Sequence, residues 1–289
     1  MNVRSWSHFA AIDWSGAAGE RHKGIAIATC GTDGPPMIVQ PGHRWSRGEV
    51  LDWLINAMPD DTLVGLDLSG SMPFADVGAY FPDWDESPAD ARGLWALVER
   101  YSATDPHFSA SSFVDHVEAA RYFRRHGGRR GDRFGDRPQG RFRVTEDAQR
   151  ALGCRPYSNL NLVGAAQVGK SSLTGMRVLH RLQGRLPLWP FDAVPATGSL
   201  VVEIYTTIAA IAAGRAPGRS KMRDYSALNE ALAALASPPV LGAGPIEDHA
   251  SDALLTAAWL RNVHADDALW HPPGLDDVRH TEGWTFGAR

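Results

Sequence analysis

Three apolar stretches of this chain each end in an acidic residue, and this pattern restricts the folds that the chain can adopt. HFAAID ends at Asp13, TLVGLD ends at Asp67 and SLVVE ends at Glu203. Short apolar runs of this kind are typical of buried strands. A carboxylate beside a buried strand costs free energy unless a partner compensates its charge, so the pattern predicts a shared cation at one edge of a sheet.

The last long helical stretch, EDHASDALLTAAWL, adds further candidate ligands. Asp248 and Asp252 are four positions apart, so they share one helical face, and His249 lies next to them. His249 could ligate a metal, shuttle a proton or orient water. Two simpler interpretations stay open: Asp248 could complement the helix dipole, and His249 could be a surface or capping residue.

The order of the predicted elements fits an α/β protein with a mixed sheet. The predicted strands cover residues 8–13, 24–30, 37–40, 62–68 and 199–205. A helix is expected at residues 49–58, and the closing helix is expected to start near Glu247. The sequence therefore predicts one domain over residues 1–289, in which residues 69–197 are a large, mainly helical insertion. Within that insertion, SSFVDHVEAARYFRR predicts one continuous helix.

The composition is ordinary for a soluble globular protein, with 44% hydrophobic and 21% charged residues. We expect no membrane span, because the chain has no apolar run of the length that a span needs. The first residues lack the pattern of a signal peptide. Cys30 and Cys154 are the only cysteines, which argues against a disulfide framework and fits a cytoplasmic protein. The sequence carries no signal for an oligomeric state.

One segment is strongly basic although the whole chain has a net charge of −4. Residues 121–143 contain nine arginines and two aspartates, a net charge of +7. Interleaved phenylalanines at positions 123, 134 and 142 favour contact with single-stranded nucleic acid through charge and stacking. The other interpretation is a solvated, disordered loop. The predicted contacts to nucleic acid are Arg124, Arg125, Arg129, Arg130, Arg133 and Lys170.

The stretch GAAQVGKS, residues 164–171, matches the pattern of a phosphate-binding loop. Such a loop needs a strand before it and a helix after it within a parallel sheet. Only LNLV precedes it, and only one convincing strand follows, so a chance match or a local glycine loop is the favoured interpretation. Two alternative functions stay open: a nucleotide- or phosphate-binding protein that uses residues 164–171, and a non-catalytic nucleic-acid-binding module that uses residues 121–143.

With these motifs in hand, the chain resembles the domain-of-unknown-function family 429, a group of expected RNase H-like nucleases. The matching stretches, in order along most of the chain, are AAIDWSG, VGLDLSGSMPF, VGKSSLTGMRVLHRL with LWPFD, VVEIY and DHASDALLTAAWL. The last stretch is also similar to the closing helix of RuvC-type Holliday-junction resolvases. The resemblance implies an RNase H-like fold and catalytic acids at Asp13, Asp67, Glu203, Asp248 and Asp252.

The predicted function is hydrolysis of phosphodiester bonds in DNA or RNA, with Mg²⁺ or Mn²⁺ as cofactor. Carboxylate oxygens are the ligands that these ions prefer, and two ions can clamp an in-line displacement at phosphorus. Asp13 is expected to bridge the two ions, and Asp67 with Asp252 or Asp248 is expected to complete the ligands. Glu203 would ligate or hold water, and His249 joins the predicted catalytic set.

Overall fold

The structure, a computed structural model, describes residues 4–163, 168–217 and 221–289. Within these residues, six strands form one sheet in the order β3-β2-β1-β4-β6-β5. Their bounds are β1 His8–Asp13, β2 Ala26–Gly31, β3 Met37–Ile38, β4 Thr62–Asp67, β5 Leu188–Trp189 and β6 Leu200–Glu203. The first three strands pair antiparallel, whereas β1, β4, β6 and β5 pair parallel. The predicted α/β class with a mixed sheet is confirmed.

Helices cover both faces of this sheet. Their bounds are α1 Arg47–Asp52, α2 Ala91–Tyr101, α3 Ser111–Asp115, α4 Val144–Ala151, α5 Val168–Leu182, α6 Thr206–Ala212, α7 Tyr225–Ala234, α8 Asp248–Val263, α9 Asp267–Trp270 and α10 Leu275–Val278. A π-helical turn continues α1 to Ala57, and short 3₁₀ turns follow α2 and α3. None of the helices in the described ranges is long and apolar enough to cross a membrane.

Alternation along the strands sends side chains into two separate cores. Ala10 and Ile12 of β1 belong to the core beneath α1, α2 and α5. Phe9 and Ala11 belong to the opposite core, which α6, α7, α8 and the C-terminal residues cover. This follows from the two-residue period of side chains along a strand. The molecule is thus a helix–sheet–helix sandwich in which the sheet is buried on both faces.

Helix α8 lies in the middle of the second core and not on the surface. Every residue from Ser251 to Leu260 is buried. A helix that is buried all round needs apolar or small residues on every side, which the stretch SDALLTAAWL supplies. Its N-terminal turn, with Asp248 and His249, is only half-buried. The helix is therefore held rigidly while its first turn projects towards the ends of the strands.

Residues 69–197, predicted as an insertion, build most of the layer that α1 completes, and they also place α4 against the opposite core. They contain α2, α3, α4 and α5 and also the edge strand β5. Leu173 and Met176 of α5 lie in the same core as Ala10 and Val64 of the sheet. Since their removal would expose one face of the sheet, these residues are part of the central architecture.

The prediction of one helix over SSFVDHVEAARYFRR is wrong. The chain forms the short helix α3, leaves helical conformation at His116, and then makes a 3₁₀ turn. The His116 ring stacks on Trp84 with ring centroids 5.4 Å apart and also contacts Tyr101 at 4.3 Å. These tertiary contacts override a local helical pattern, since helix propensity amounts to only tenths of a kcal/mol per residue.

His22 is buried near the start of β2 and gives a pH-dependent prediction. Its side chain is 3% exposed, and its Nε2 has no hydrogen-bond partner among the described residues. Burial, assisted by the positive charge of Arg47, lowers the pKa of His22 to about 4. The unfolded chain therefore binds a proton on His22 at a higher pH than the folded chain does. As a result, the contribution of His22 to the free energy of unfolding is complete above pH 6.5 and decreases as the pH falls towards 4.

We expect the free energy of unfolding of the wild type to fall by about 3 kcal/mol more than that of His22→Gln between pH 7 and pH 4. Urea denaturation of both proteins at several pH values measures this difference. If the free energy of unfolding of the two proteins changed with pH by the same amount, His22 would not be the source of this pH dependence.

Candidate active site

The register of the sheet brings the first two predicted acids side by side. Asp13 of β1 and Asp67 of β4 are direct partners at the ends of adjacent parallel strands. Adjacent strands lie about 4.8 Å apart, so the two side chains start as neighbours. Phe9 and Ala11 of β1 and Leu63 of β4 face α8, since they lie in the core beneath that helix. Asp13 and Asp67 lie an even number of positions further along the same strands and therefore face the same way. The two carboxylates therefore point to the same side of the sheet.

The first turn of α8 brings its acids over this point. The Nδ1 atom of His249 lies 3.1 Å from Oδ2 of Asp13. The side chains of Asp13 and Asp252 are each only 8% exposed. A cleft of about 750 Å³ opens here, and its ionisable lining includes Asp13, Asp67, Asp248, His249, Asp252 and Lys221. The sequence predictions for the first five of these residues thus converge on one cleft.

The carboxylates of the cleft destabilise one another's charges. Burial raises the pKa of Asp67 well above its usual value, and the charges of Asp13 and Asp252 raise it further. Burial and the charge of Asp13 raise the pKa of Asp252 to about 6. The positive charge of Lys221 offsets only part of this increase. Excess negative charge of this kind is relieved by a proton or a cation.

The same negative charges stabilise the charged form of His249, whereas they destabilise the charged forms of the acids. Its hydrogen bond to Asp13 raises the pKa of His249 above the usual value, although burial opposes this. The imidazolium form is therefore favoured beside the Asp13 carboxylate, and Asp13 fixes the ring through Nδ1. The Nε2 edge of the ring comes near Gly24, where a Cβ atom would lie 3.3 Å from it. His249 is accordingly held in place by Asp13 and is not an unrestrained surface residue.

Lys221 is a member of the site that the sequence analysis did not identify. Its Nζ donates to Oδ2 of Asp252 in a short contact. Burial lowers the pKa of Lys221, but the carboxylates of Asp252, Asp13 and Asp248 outweigh burial and raise it. The residue lies in the irregular stretch before α7, where no periodicity or motif singles it out. It contributes a positive charge to the acidic cleft.

Glu203 lines the same cleft as the other strand-end acids, but its carboxylate is already engaged by other residues. Its strand partner is Leu66, one residue out of phase with Asp67. Arg143 pairs with both of its oxygens, Nη2 to Oε1 at 2.6 Å and Nη1 to Oε2 at 2.9 Å. The backbone N–H of Gly70 donates to Oε2 at 2.7 Å, and the Thr285 hydroxyl donates to Oε1. Both carboxylate oxygens are thus engaged, and Glu203 anchors a structural cluster at the margin of the cleft.

The predicted nucleic-acid contacts divide into two groups. Arg125, Arg129 and Lys170 line a second cavity of about 430 Å³ beside the acidic cleft. The other group does not line it: Arg124 is exposed, Arg130 donates to the carbonyl of Gly135, and Arg133 pairs with Asp83 at 2.6 Å.

The expected stacking role of the interleaved phenylalanines is wrong for two of the three. Phe123 and Phe134 are 0% exposed and belong to the core under α2 and α5. Phe142 is half-buried beneath the guanidinium of Arg150. Aromatic residues in a basic segment can anchor the segment to the core as readily as they bind bases, and Phe123 and Phe134 do the former.

The phosphate-loop match falls partly outside the described residues, since residues 164–167 are not among them. Residues Leu160 and Leu162, just upstream, are buried, and Asn161 makes an isolated bridge to Arg124. In the described residues no strand of the sheet leads into α5. The Lys170 Nζ lies 2.9 Å from Nε2 of His126, at the second cavity.

The donors of the acidic cleft fit a hard divalent cation in their chemistry, because Asp13, Asp67 and Asp252 offer carboxylate oxygens in a partly buried setting of excess negative charge. Their present placement is not that of a closed cage. Over the described ranges, no three His, Cys, Asp or Glu side chains are grouped as ligands of one ion. The ammonium of Lys221 instead neutralises Asp252.

Comparisons with known proteins add no relative to this description. No protein-family model, no curated protein and no solved structure matches the chain.

Proposed function

We propose that this chain is a divalent-cation-dependent nuclease of RNase H-like fold that hydrolyses phosphodiester bonds of DNA or RNA. One observation carries the proposal. Asp13 and Asp67 are register partners at the ends of adjacent parallel strands, and α8 brings Asp252 close enough to raise the pKa of Asp67 by repulsion. Buried carboxylates that repel one another lower the stability of the folded protein. Groups of this kind are typical of functional sites.

The topology supports the same proposal. Without the two-residue edge strand β5, the sheet has the order β3-β2-β1-β4-β6, with three antiparallel strands followed by parallel ones. This is the arrangement expected for RNase H-like proteins. Helix α8 begins over the first acid and packs across β1 and β2, as the closing helix of that fold would. Membership of family 429 stays a prediction from the matching motifs.

The residues of the cleft have separable roles in this proposal. Asp13, Asp67 and Asp252 would hold the cation, and Asp248 lies at the rim of the same cleft. A divalent cation supplies the charge that activates water and stabilises the leaving oxygen. His249, fixed by Asp13 and favoured in its protonated form, would donate a proton to that oxygen.

The proposal is tested with purified protein and labelled single- and double-stranded DNA and RNA. We expect cleavage with Mn²⁺ or Mg²⁺ and none with EDTA. Mass spectrometry of the products identifies phosphodiester hydrolysis by the added water oxygen. Absence of cleavage of every substrate, in protein that binds Mn²⁺, would overturn the assignment as a nuclease.

Lys221 gives a separate prediction that does not depend on turnover. The ammonium of Lys221 neutralises Asp252 and would repel a metal ion bound to the same carboxylate. Lys221→Met should therefore bind Mn²⁺ about tenfold more tightly than the wild type. Isothermal titration calorimetry measures the affinity. Lys23→Met is the matched control, because Lys23 pairs with Glu247 near the same helix end but both side chains are 67% exposed. Unchanged or weaker Mn²⁺ binding by Lys221→Met would contradict the prediction.

A further inference from the structure

A second cavity lies directly beside the acidic cleft, on the other side of the loop after β1. Its volume is about 430 Å³, within the range of about 300–1,000 Å³ typical of small-ligand pockets. One wall is apolar and is made by Ala110, Val114, Leu162 and Leu173. This wall is continuous with the core under α5, since Ala110, Leu162 and Leu173 belong to that core. The cavity can thus take an apolar or weakly polar group against this wall.

The rest of the lining is cationic. Four side chains, Arg47, Arg125, Arg129 and Lys170, are positive, and two, Asp105 and Asp115, are negative, which leaves a net charge of +2 with histidines neutral. These cations are not equivalent. Arg47 is 1% exposed and donates to the carbonyls of Ser15, Ala17 and His107, so it is fixed in place. Arg125 pairs with Asp115 at 2.9 Å.

The two remaining cations are available to an anion. Arg129 donates through Nε to the carbonyl of His126, and Lys170 contacts the imidazole of the same residue. Neither forms an ion pair with any carboxylate of the residues that the structure describes. An arginine and a lysine at one rim, beside an apolar wall, suit a group that combines a phosphate with an aromatic ring.

A thin wall of backbone separates this cavity from the acidic cleft. Gly16 and Ala17 line both spaces. At Gly16 a Cβ atom would lie 2.4 Å from the backbone nitrogen of Ser171, so the loop after β1 packs against the first turns of α5. The Nε1 of Trp14 donates to Oγ1 of Thr174 at 3.1 Å and holds the same loop. A chain that enters the cleft therefore reaches the cavity by crossing Gly16.

We propose that this cavity binds one nucleotide of a single-stranded end of the nucleic-acid substrate. Arg129 and Lys170 contact its phosphate, and the wall of Ala110, Val114 and Leu173 receives its base. This assignment rests on the proposed nuclease function for the identity of the chain that spans both spaces. It gives the enzyme a holding site for the strand end, separate from the acids of the cleft.

The test measures binding in EDTA, where hydrolysis does not contribute. A short single-stranded oligodeoxynucleotide with an internal fluorescent label is titrated with the full-length protein, and anisotropy gives the affinity. We expect Arg129→Glu and Val114→Phe each to weaken binding by about tenfold, through loss of the phosphate contact and of the space for the base. Arg137→Glu is the control, because Arg137 is exposed in the same segment and does not line the cavity. Thermal melts establish that each variant is folded.

Each outcome bears on the proposal. Competition by unlabelled dAMP that is present in the wild type and lost in Val114→Phe supports it. Equal weakening by Arg129→Glu and Arg137→Glu would mean that general charge binds the strand, and the proposal would fail. Tight binding of ATP without binding of the strand would also overturn it, because the cavity would then serve a free nucleotide. A strand that binds but is never cleaved with Mn²⁺ would leave this inference standing and remove the nuclease assignment.

Discussion

Replacing Asp13 by Asn is expected to reduce metal-dependent cleavage by about a thousandfold while the protein stays folded. The amide keeps the shape of the side chain but removes the charge that helps to raise the pKa values of Asp67 and Asp252. The same change removes the partner that raises the pKa of His249, so that pKa should fall. Stability should be equal or higher, because a buried charge that repels two neighbours is gone.

Three measurements together decide this prediction. Cleavage rates with Mn²⁺ give the loss of activity, NMR titration of the imidazole gives the pKa of His249, and thermal melts give the stability. Asp33→Asn is the control, since Asp33 lies in the exposed turn between β2 and β3, remote from the cleft. Full activity in Asp13→Asn would show that the cleaving site lies elsewhere, whether in this protein or in a contaminant.

Replacing Arg143 by Met is expected to destabilise the protein by about 3–5 kcal/mol, which is a large part of the usual stability of a domain. Arg143 is 1% exposed and pairs with both Glu146 and Glu203. Its removal leaves two carboxylates buried without a counter-ion. Burial already raises the pKa of Glu146 to about 7 despite the neighbouring guanidinium.

Chemical denaturation at pH 7 measures this loss. Arg279→Ala is the matched control, because Arg279 forms an ion pair of the same i, i+3 spacing with Asp276, whose side chain is 91% exposed, and such pairs contribute about 0–1 kcal/mol. Adding Glu203→Gln to Arg143→Met should restore part of the stability, since one unpaired charge is then removed. A loss no greater than that of the control would mean that Arg143 is not the centre of this cluster.

The sequence predicts best where local pattern and burial agree. Strand β1 was expected at residues 8–13 and is found there, because an apolar run ends at a single carboxylate. The closing helix was expected near Glu247 and starts at Asp248. The meeting of Asp13 with Asp67 follows from parallel strands of equal length that end together. These features depend on residues close in sequence or on a regular ladder.

The features that were missed depend on contacts between distant residues. Lys221 enters the cleft through an irregular stretch, so nothing near it in the sequence marks its role. Glu203 has the same strand-end signal as Asp67, but a register offset and Arg143, sixty residues away, give it another partner. Strand β5 has two residues, too few for any periodicity. Pattern alone identifies candidate ligands but does not show which of them already have partners.

The cluster around Glu203 also has a consequence for the kinetics of folding. Its contacts join residues far apart along the chain: Arg143 and Thr285 are 60 and 82 positions from Glu203. Contacts of long sequence separation require closure of large loops before they contribute stability, and they slow folding. The β1–β2 hairpin, by contrast, closes a short loop. We therefore expect the hairpin that carries Asp13 to form early and the cluster that joins the far end of the sheet to the C-terminal residues to form last.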